Sequence, residues 1–95
     1  IWVMAADGSD QRQVFGDDQV NWFPHPSPDG RHLVYLAYPP GTAGHPADLE
    51  VALVLCDPEG RDRRTVRRIT GGQGTINVPS WAPDGSAFAY VRYEP

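Results

Sequence analysis

Two histidines, two side-chain amides and one tryptophan hold most of the chemistry this 95-residue chain can offer. His25 closes the run Trp22-Phe23-Pro24-His25. His45 stands in Pro40-Gly41-Thr42-Ala43-Gly44-His45-Pro46, and Gln73 and Asn77 in Gly71-Gly72-Gln73-Gly74-Thr75-Ile76-Asn77. Imidazole nitrogens suit divalent transition metals, and amides orient polar ligands. Brought together, His25, His45 and Gln73 could hold a divalent metal. Trp22, His25, His45, Gln73 and Asn77 could line a site for a small polar ligand or a protein. The spacing does not demand it. None of these residues has the compact separation of a metal-ligand motif, and a His beside Pro commonly just hydrogen-bonds a loop backbone. His32 reads as a surface residue, and Trp81 and Tyr35 as core.

Other chemistries are poorly served. Gly71-Gly72-Gln73-Gly74 is Gly-rich, but no Gly-Lys-Ser/Thr follows and no helix begins there, so it is not a phosphate loop. A tight backbone crossing explains those glycines better. No Gly-x-Ser-x-Gly elbow and no His-Glu-x-x-His occurs, so no catalytic residue is assigned and the chain reads as a binding module before an enzyme. Residues 61–68 carry Arg61, Arg63, Arg64, Arg67 and Arg68, which suggests an anion patch. On an outermost strand the same charges discourage edge pairing, and the solvated edge is favoured. A formal net charge of -4 gives no general pull toward nucleic acid. No apolar run approaches the ~18 residues of a membrane helix, so no membrane insertion is expected. The lone Cys56 excludes an internal disulfide framework and reads as buried and inert.

The elements that must position these residues are short. The chain is 40% hydrophobic and 21% charged, which argues for a folded domain, while 10 Gly and 10 Pro leave no room for long helices. The pattern is all-β with tight turns, and it repeats. Pro24-His25-Pro26-Ser27-Pro28-Asp29-Gly30 is echoed by Pro79-Ser80-Trp81-Ala82-Pro83-Asp84-Gly85, 55 residues on. Residues 1–8 are echoed by residues 53–60, 52 residues on. Each unit reads as four antiparallel strands A to D. The complete unit is 20–70, with strands over 20–27, 31–38, 50–56 and 63–70. Residues 1–15 supply only C and D (1–6 and 11–15), and residues 75–93 only A and B (75–82 and 86–93). Leu33, Tyr35 and Ala37 point one way and Val34, Leu36 and Tyr38 the other. Such a sheet is buried on both faces between neighbouring sheets. Four-stranded antiparallel sheets stacked in this way are propeller blades, and the chain holds about two blades' worth of strands. Strand parity puts the turns at Asp7-Gly8, Asp29-Gly30, Glu59-Gly60 and Asp84-Gly85 on one face. The loops 16–19, 39–49 and 71–74 fall on the other, and loops on a rigid scaffold usually carry function.

Pro-x-Trp-Ala-Pro-Asp-Gly at 79–85, Ser-Pro-Asp-Gly at 27–30 and Ile-Trp-Val-Met-x-x-Asp-Gly at 1–8 resemble the blade repeat of the TolB family. Pro26 stands where that repeat usually has Trp. The resemblance extends to the C-terminal part of uncharacterised bacterial TolB-like propellers, through Trp22-Phe23-Pro24-His25, 40–46 and 71–77. It implies a six-bladed propeller. It also implies a periplasmic or extracytoplasmic setting, or a cytoplasmic one if the full-length chain carries no export signal. The segment Ile1-Trp2-Val3-Met4 lacks the basic flank of a signal peptide, and the chain reads as a fragment. Some propeller lyases that act on pectin fragments are similar in using a His-rich metal site, and propellers of this repeat also occur in larger hydrolases. Those are the competing enzymatic expectations. Bare strand edges imply that self-association, or the remaining blades of a longer chain, must cover them. Three copies would close six blades.

Overall fold

Leu33–Tyr38 is apolar at every position, and such a strand is stable only where both faces of its sheet are covered. In the computed structural model, which describes residues 1–94, all six of these residues are buried. The strands are β1 (Trp2–Val3), β2 (Arg12–Gln13), β3 (Val20–Pro26), β4 (Leu33–Tyr38), β5 (Leu49–Cys56) and β6 (Arg64–Gly71). All pairings are antiparallel. β1 and β2 form a small hairpin, and β3-β4-β5-β6 form a four-stranded sheet in chain order. Among the described residues there is no helix, and so none long and apolar enough to cross a membrane.

The two faces of the central sheet divide by alternation. One gathers Leu33, Tyr35, Ala37, Ala52, Val54 and Cys56, and the N-terminal segment covers part of it with Ile1, Val14 and Phe15. The other gathers Val34, Leu36, Tyr38, Val51, Leu53 and Ile69. It is covered from the C-terminal side by Ile76, Trp81, Phe88 and Tyr90. Each fully buried aliphatic side chain contributes about 1.5–3 kcal/mol. The outer strands follow their positions. β3 tolerates Pro24 and Pro26 because an edge strand can lack a ladder donor. β6 exposes Arg64, Arg67 and Arg68 at the opposite edge.

The repeated turns share one geometry. Gly8, Gly30, Gly60 and Gly85 each donate their N–H to the residue three earlier, at 2.9, 3.0, 2.9 and 2.9 Å. All four have φ between 75° and 88°, the left-handed region that disfavours a Cβ. The A–B hairpins close with Ser27 N–H to the His32 carbonyl and Ala82 N–H to the Ala87 carbonyl. The C–D hairpins close one residue tighter, from Ala5 to Ser9 and from Asp57 to Arg61. The next residue, Asp10 or Asp62, then takes a φ of 57°.

The C-terminal pair differs from expectation. Instead of strands over 75–82 and 86–93, the structure shows a hairpin reduced to one bridge, Trp81 to Phe88, with flanking bonds from Ala82 to Ala87 and from Ala89 to Ser80. Pro79 removes a donor from its first strand, and a hairpin without a third strand is marginal.

Candidate functional site

The turns at Asp29-Gly30 and Glu59-Gly60 lie at one end of the central sheet, because they join consecutive antiparallel strands. The β4–β5 connection and the segment after β6 lie at the other end, and there the structure ties them together. The Pro46 carbonyl accepts the Tyr38 hydroxyl at 2.9 Å and the Gln73 N–H at 3.1 Å. Gly72 is required at this crossing: its φ is 136°, and a Cβ would run into the Pro46 carbonyl oxygen. Burial pushes the Tyr38 hydroxyl above its ordinary value of 10.0, so it stays protonated and donates.

Beside this junction three rings cluster. The His45 ring stands edge-on to Trp22 at 4.6 Å and to Phe23 at 5.4 Å, and Trp22 and Phe23 are 5.8 Å apart. Trp22 remains 37% exposed. Phe23 has a φ of 56°, within the register shift between Trp22 and His25. A bulky residue held there costs about 1–3 kcal/mol and persists only where the surroundings enforce it. The bulge turns two consecutive aromatic residues toward the same loop. One residue upstream of Trp22, the Asn21 Oδ1 is buried and accepts no hydrogen bond among the described residues, which is uncommon for a buried acceptor.

The five expected residues are placed differently from one another. Trp22 and His45 are in ring contact. Gln73 is exposed and joins the same end through its backbone, its carbonyl accepting the Tyr93 hydroxyl at 3.1 Å. Asn77 turns its Oδ1 back to the Gly74 N–H at 2.9 Å and closes its own loop. His25 is 8% exposed, and its Nε2–H donates to the Ile76 carbonyl at 2.6 Å. That nitrogen is therefore spent on a backbone group of the next repeat. Among the described residues no three or more His, Cys, Asp or Glu side chains are grouped to hold a metal ion.

His32 is not a free surface residue. It stacks on Trp81, centroids 5.9 Å apart, while the Trp81 indole N–H donates to the His25 carbonyl at 2.8 Å. Tyr35 is buried, its hydroxyl pushed up to about 12 mainly by that burial. Burial likewise raises the Cys56 thiol, leaving it unreactive. Of the run 61–68, Arg61 pairs with Asp57 at 2.8 Å and Arg63 lies 4.4 Å over the Phe15 ring. Sequence reasoning missed Phe23, Tyr38 and Pro46. The aromatic-proline steps Phe23-Pro24 and Tyr38-Pro39 were the available signal.

No family model matches the chain. It is similar to a solved structure from Agrobacterium tumefaciens described as a "putative TolB", with a TM-score of 0.96 at 44% identity over 99% of this chain. It is also similar to an uncharacterized protein of Agrobacterium fabrum, 44% identical over all 95 residues. The chain spans about a third of each relative, 34% of the first and 32% of the second. The fold is a β-propeller segment. One blade is complete in β3–β6, and the flanking hairpins follow the repeat on either side.

Proposed function

We propose that this chain is a non-catalytic segment of a TolB-like β-propeller. It binds a protein or a small polar ligand through the loops opposite its four tight turns. The observation that carries the proposal is the join at that end. The Pro46 carbonyl fastens the 39–48 loop to Gln73, and His45 of the same loop packs on an exposed Trp22 presented by a strained bulge. Strain kept at a loop-bearing strand end is where recognition sites are commonly built. The orphan acceptor of Asn21 lies beside it and favours a partner with polar donors. The engagement of His25 with the Ile76 carbonyl and of His32 with Trp81 favours binding over chemistry, since both rings already serve the scaffold.

The test is to pan a displayed random heptapeptide library on the 95-residue chain. Enriched peptides are then measured against Trp22→Ala, His45→Ala and Arg64→Ala. The first two substitutions are expected to weaken binding about tenfold or more, roughly 1.4 kcal/mol, and the third to leave it unchanged. Peptides that bind Trp22→Ala and His45→Ala as tightly as the parent chain overturn the assignment.

A further inference from the structure

Tyr38 is the last residue of β4 and joins the buried sheet to the loop that carries His45. Its side chain is fully buried, clustered with Val34, Leu36, Val51, Leu53 and Ile69. A ring held by close packing has little freedom, so its hydroxyl is a fixed point. A buried tyrosine hydroxyl needs a partner, and this one donates to the Pro46 carbonyl at 2.9 Å. We infer that Tyr38 is the positioning residue of the loop-end site, on the reading of that site given above. Its hydroxyl, acting through Pro46, sets the His45 ring against Trp22.

The chemistry of Pro46 makes this action possible. Proline fixes its own φ and confines the residue before it to extended conformations. Holding the Pro46 carbonyl therefore restricts the backbone of His45, its immediate neighbour. The rest of the loop has little to hold it. Among the described residues, the other hydrogen bonds of 39–48 are those from the Thr42 N–H and hydroxyl to the Pro39 carbonyl, and both stay inside the loop. Gly41 and Gly44 have φ of 80° and 65°, and open space surrounds the position of a Cβ at each.

The same carbonyl takes a second bond, from the Gln73 N–H at 3.1 Å. That donor belongs to a loop braced by Thr75, whose hydroxyl accepts the Gly72 N–H at 3.0 Å and whose N–H donates to the Gly72 carbonyl at 2.9 Å. A carbonyl oxygen has two lone pairs, so both bonds coexist. Tyr38→Phe is therefore a mild perturbation. It keeps the packed ring and deletes one donor, while Gln73 still satisfies the Pro46 carbonyl and no buried acceptor is stranded. Tyr35→Phe removes the hydroxyl of another buried tyrosine, on the opposite face of the sheet, and serves as the comparison.

The experiment uses heptapeptides enriched from the displayed library that Trp22→Ala and His45→Ala weaken but do not abolish. Tyr38→Phe is expected to weaken them about three- to tenfold, and Tyr35→Phe to leave them unchanged. A residue that acts through His45 loses its effect once that ring is gone. In a His45→Ala background, Tyr38→Phe is therefore expected to change affinity by less than about twofold. A merely structural loss would appear in both backgrounds. Peptides that need Trp22 and His45 yet bind Tyr38→Phe as tightly as the parent chain overturn the role of Tyr38 and leave the reading of the site standing. Equal losses in both backgrounds, or an equal loss with Tyr35→Phe, also overturn that role. The absence of any peptide that depends on Trp22 and His45 overturns the reading of the site and the role of Tyr38 together.

Discussion

His25→Ala separates a structural histidine from a metal ligand. The Ile76 carbonyl is buried, with its residue 3% exposed, and the His25 Nε2–H is 2.6 Å away. Removing that donor strands a buried acceptor, which costs about 1–3 kcal/mol. Truncating a side chain that is 8% exposed leaves space that the core fills only in part, adding roughly 1 kcal/mol. The total is about 2–4 kcal/mol, against the roughly 5–14 kcal/mol expected for a chain of this length. Since a domain of this size loses about 4–8 °C per kcal/mol, Tm should fall by at least ~8 °C. The assay is urea unfolding followed by tryptophan fluorescence, at fixed chain concentration because assembly shifts apparent stability. The midpoint should drop with the slope unchanged. His25→Gln, which keeps a donor, should recover part of the loss. The reasoning is refuted if His25→Ala costs less than about 0.5 kcal/mol. It is equally refuted if a divalent metal stabilises the parent chain and not the variant.

Two further outcomes concern the turn end. Gly30→Ala and Gly85→Ala meet nearly equal backbone penalties, at φ of 75° and 76°, but only at Gly85 would the new Cβ press on the Asp29 carboxylate. Gly30→Ala should cost about 1–2 kcal/mol and Gly85→Ala measurably more. Equal unfolding free energies would refute the contact between the two turns. The second outcome is acid sensitivity. The Asp7, Asp29 and Asp84 carboxyls are held below the ordinary 3.8 first by the hydroxyls of Ser9, Ser27 and Ser86, and Asp57 by the Arg61 backbone N–H. Lowered folded values mean that the unfolded chain takes up protons first as pH falls. The stability these groups contribute is therefore complete above 3.8 and is lost as pH falls through their folded values. The advantage of the parent chain over Asp29→Asn with Asp84→Asn should be constant above about pH 5 and shrink in acid. An advantage that grows in acid would refute it.

How legible each part was depends on whether its determinant is local. The division of Leu33–Tyr38 between two faces follows from the period of a strand, and both clusters are built on it. The turns were legible because Asp-Gly or Glu-Gly requires a left-handed position at each. The placement of the 39–48 loop and the Gly71–Gly74 segment at one end, where the Pro46 carbonyl accepts the Gln73 N–H, followed from counting antiparallel strands. The orientation of His25 did not. Its partner is a main-chain carbonyl 51 residues away, and a carbonyl has no residue signature. Nor did the left-handed Phe23, where tertiary contacts with His45 override the preference of a bulky residue. The overextended C-terminal strands fail for a related reason. Apolar alternation there was real, but among the described residues no third strand pairs with this hairpin to complete a ladder.

The two ends of the blade divide the work of specification. At the turn end four hairpins use the same hydrogen bond and the same glycine conformation, and Asp10 and Asp62 even share a φ of 57° one repeat apart. Such uniformity sets strand register and leaves little variety for recognition. At the loop end each connection is built differently: an Asp17-held turn to Gln19, the Pro46 junction, and the Asn77-closed glycine loop. Trp22 corresponds to Asn77 and Phe23 to Val78 under the 55-residue repeat, so the aromatic cluster is not a feature that both units need in order to fold. A left-handed Phe23 and an exposed Trp22 are costs the repeat does not impose. The binding proposed for that end would give them a reason.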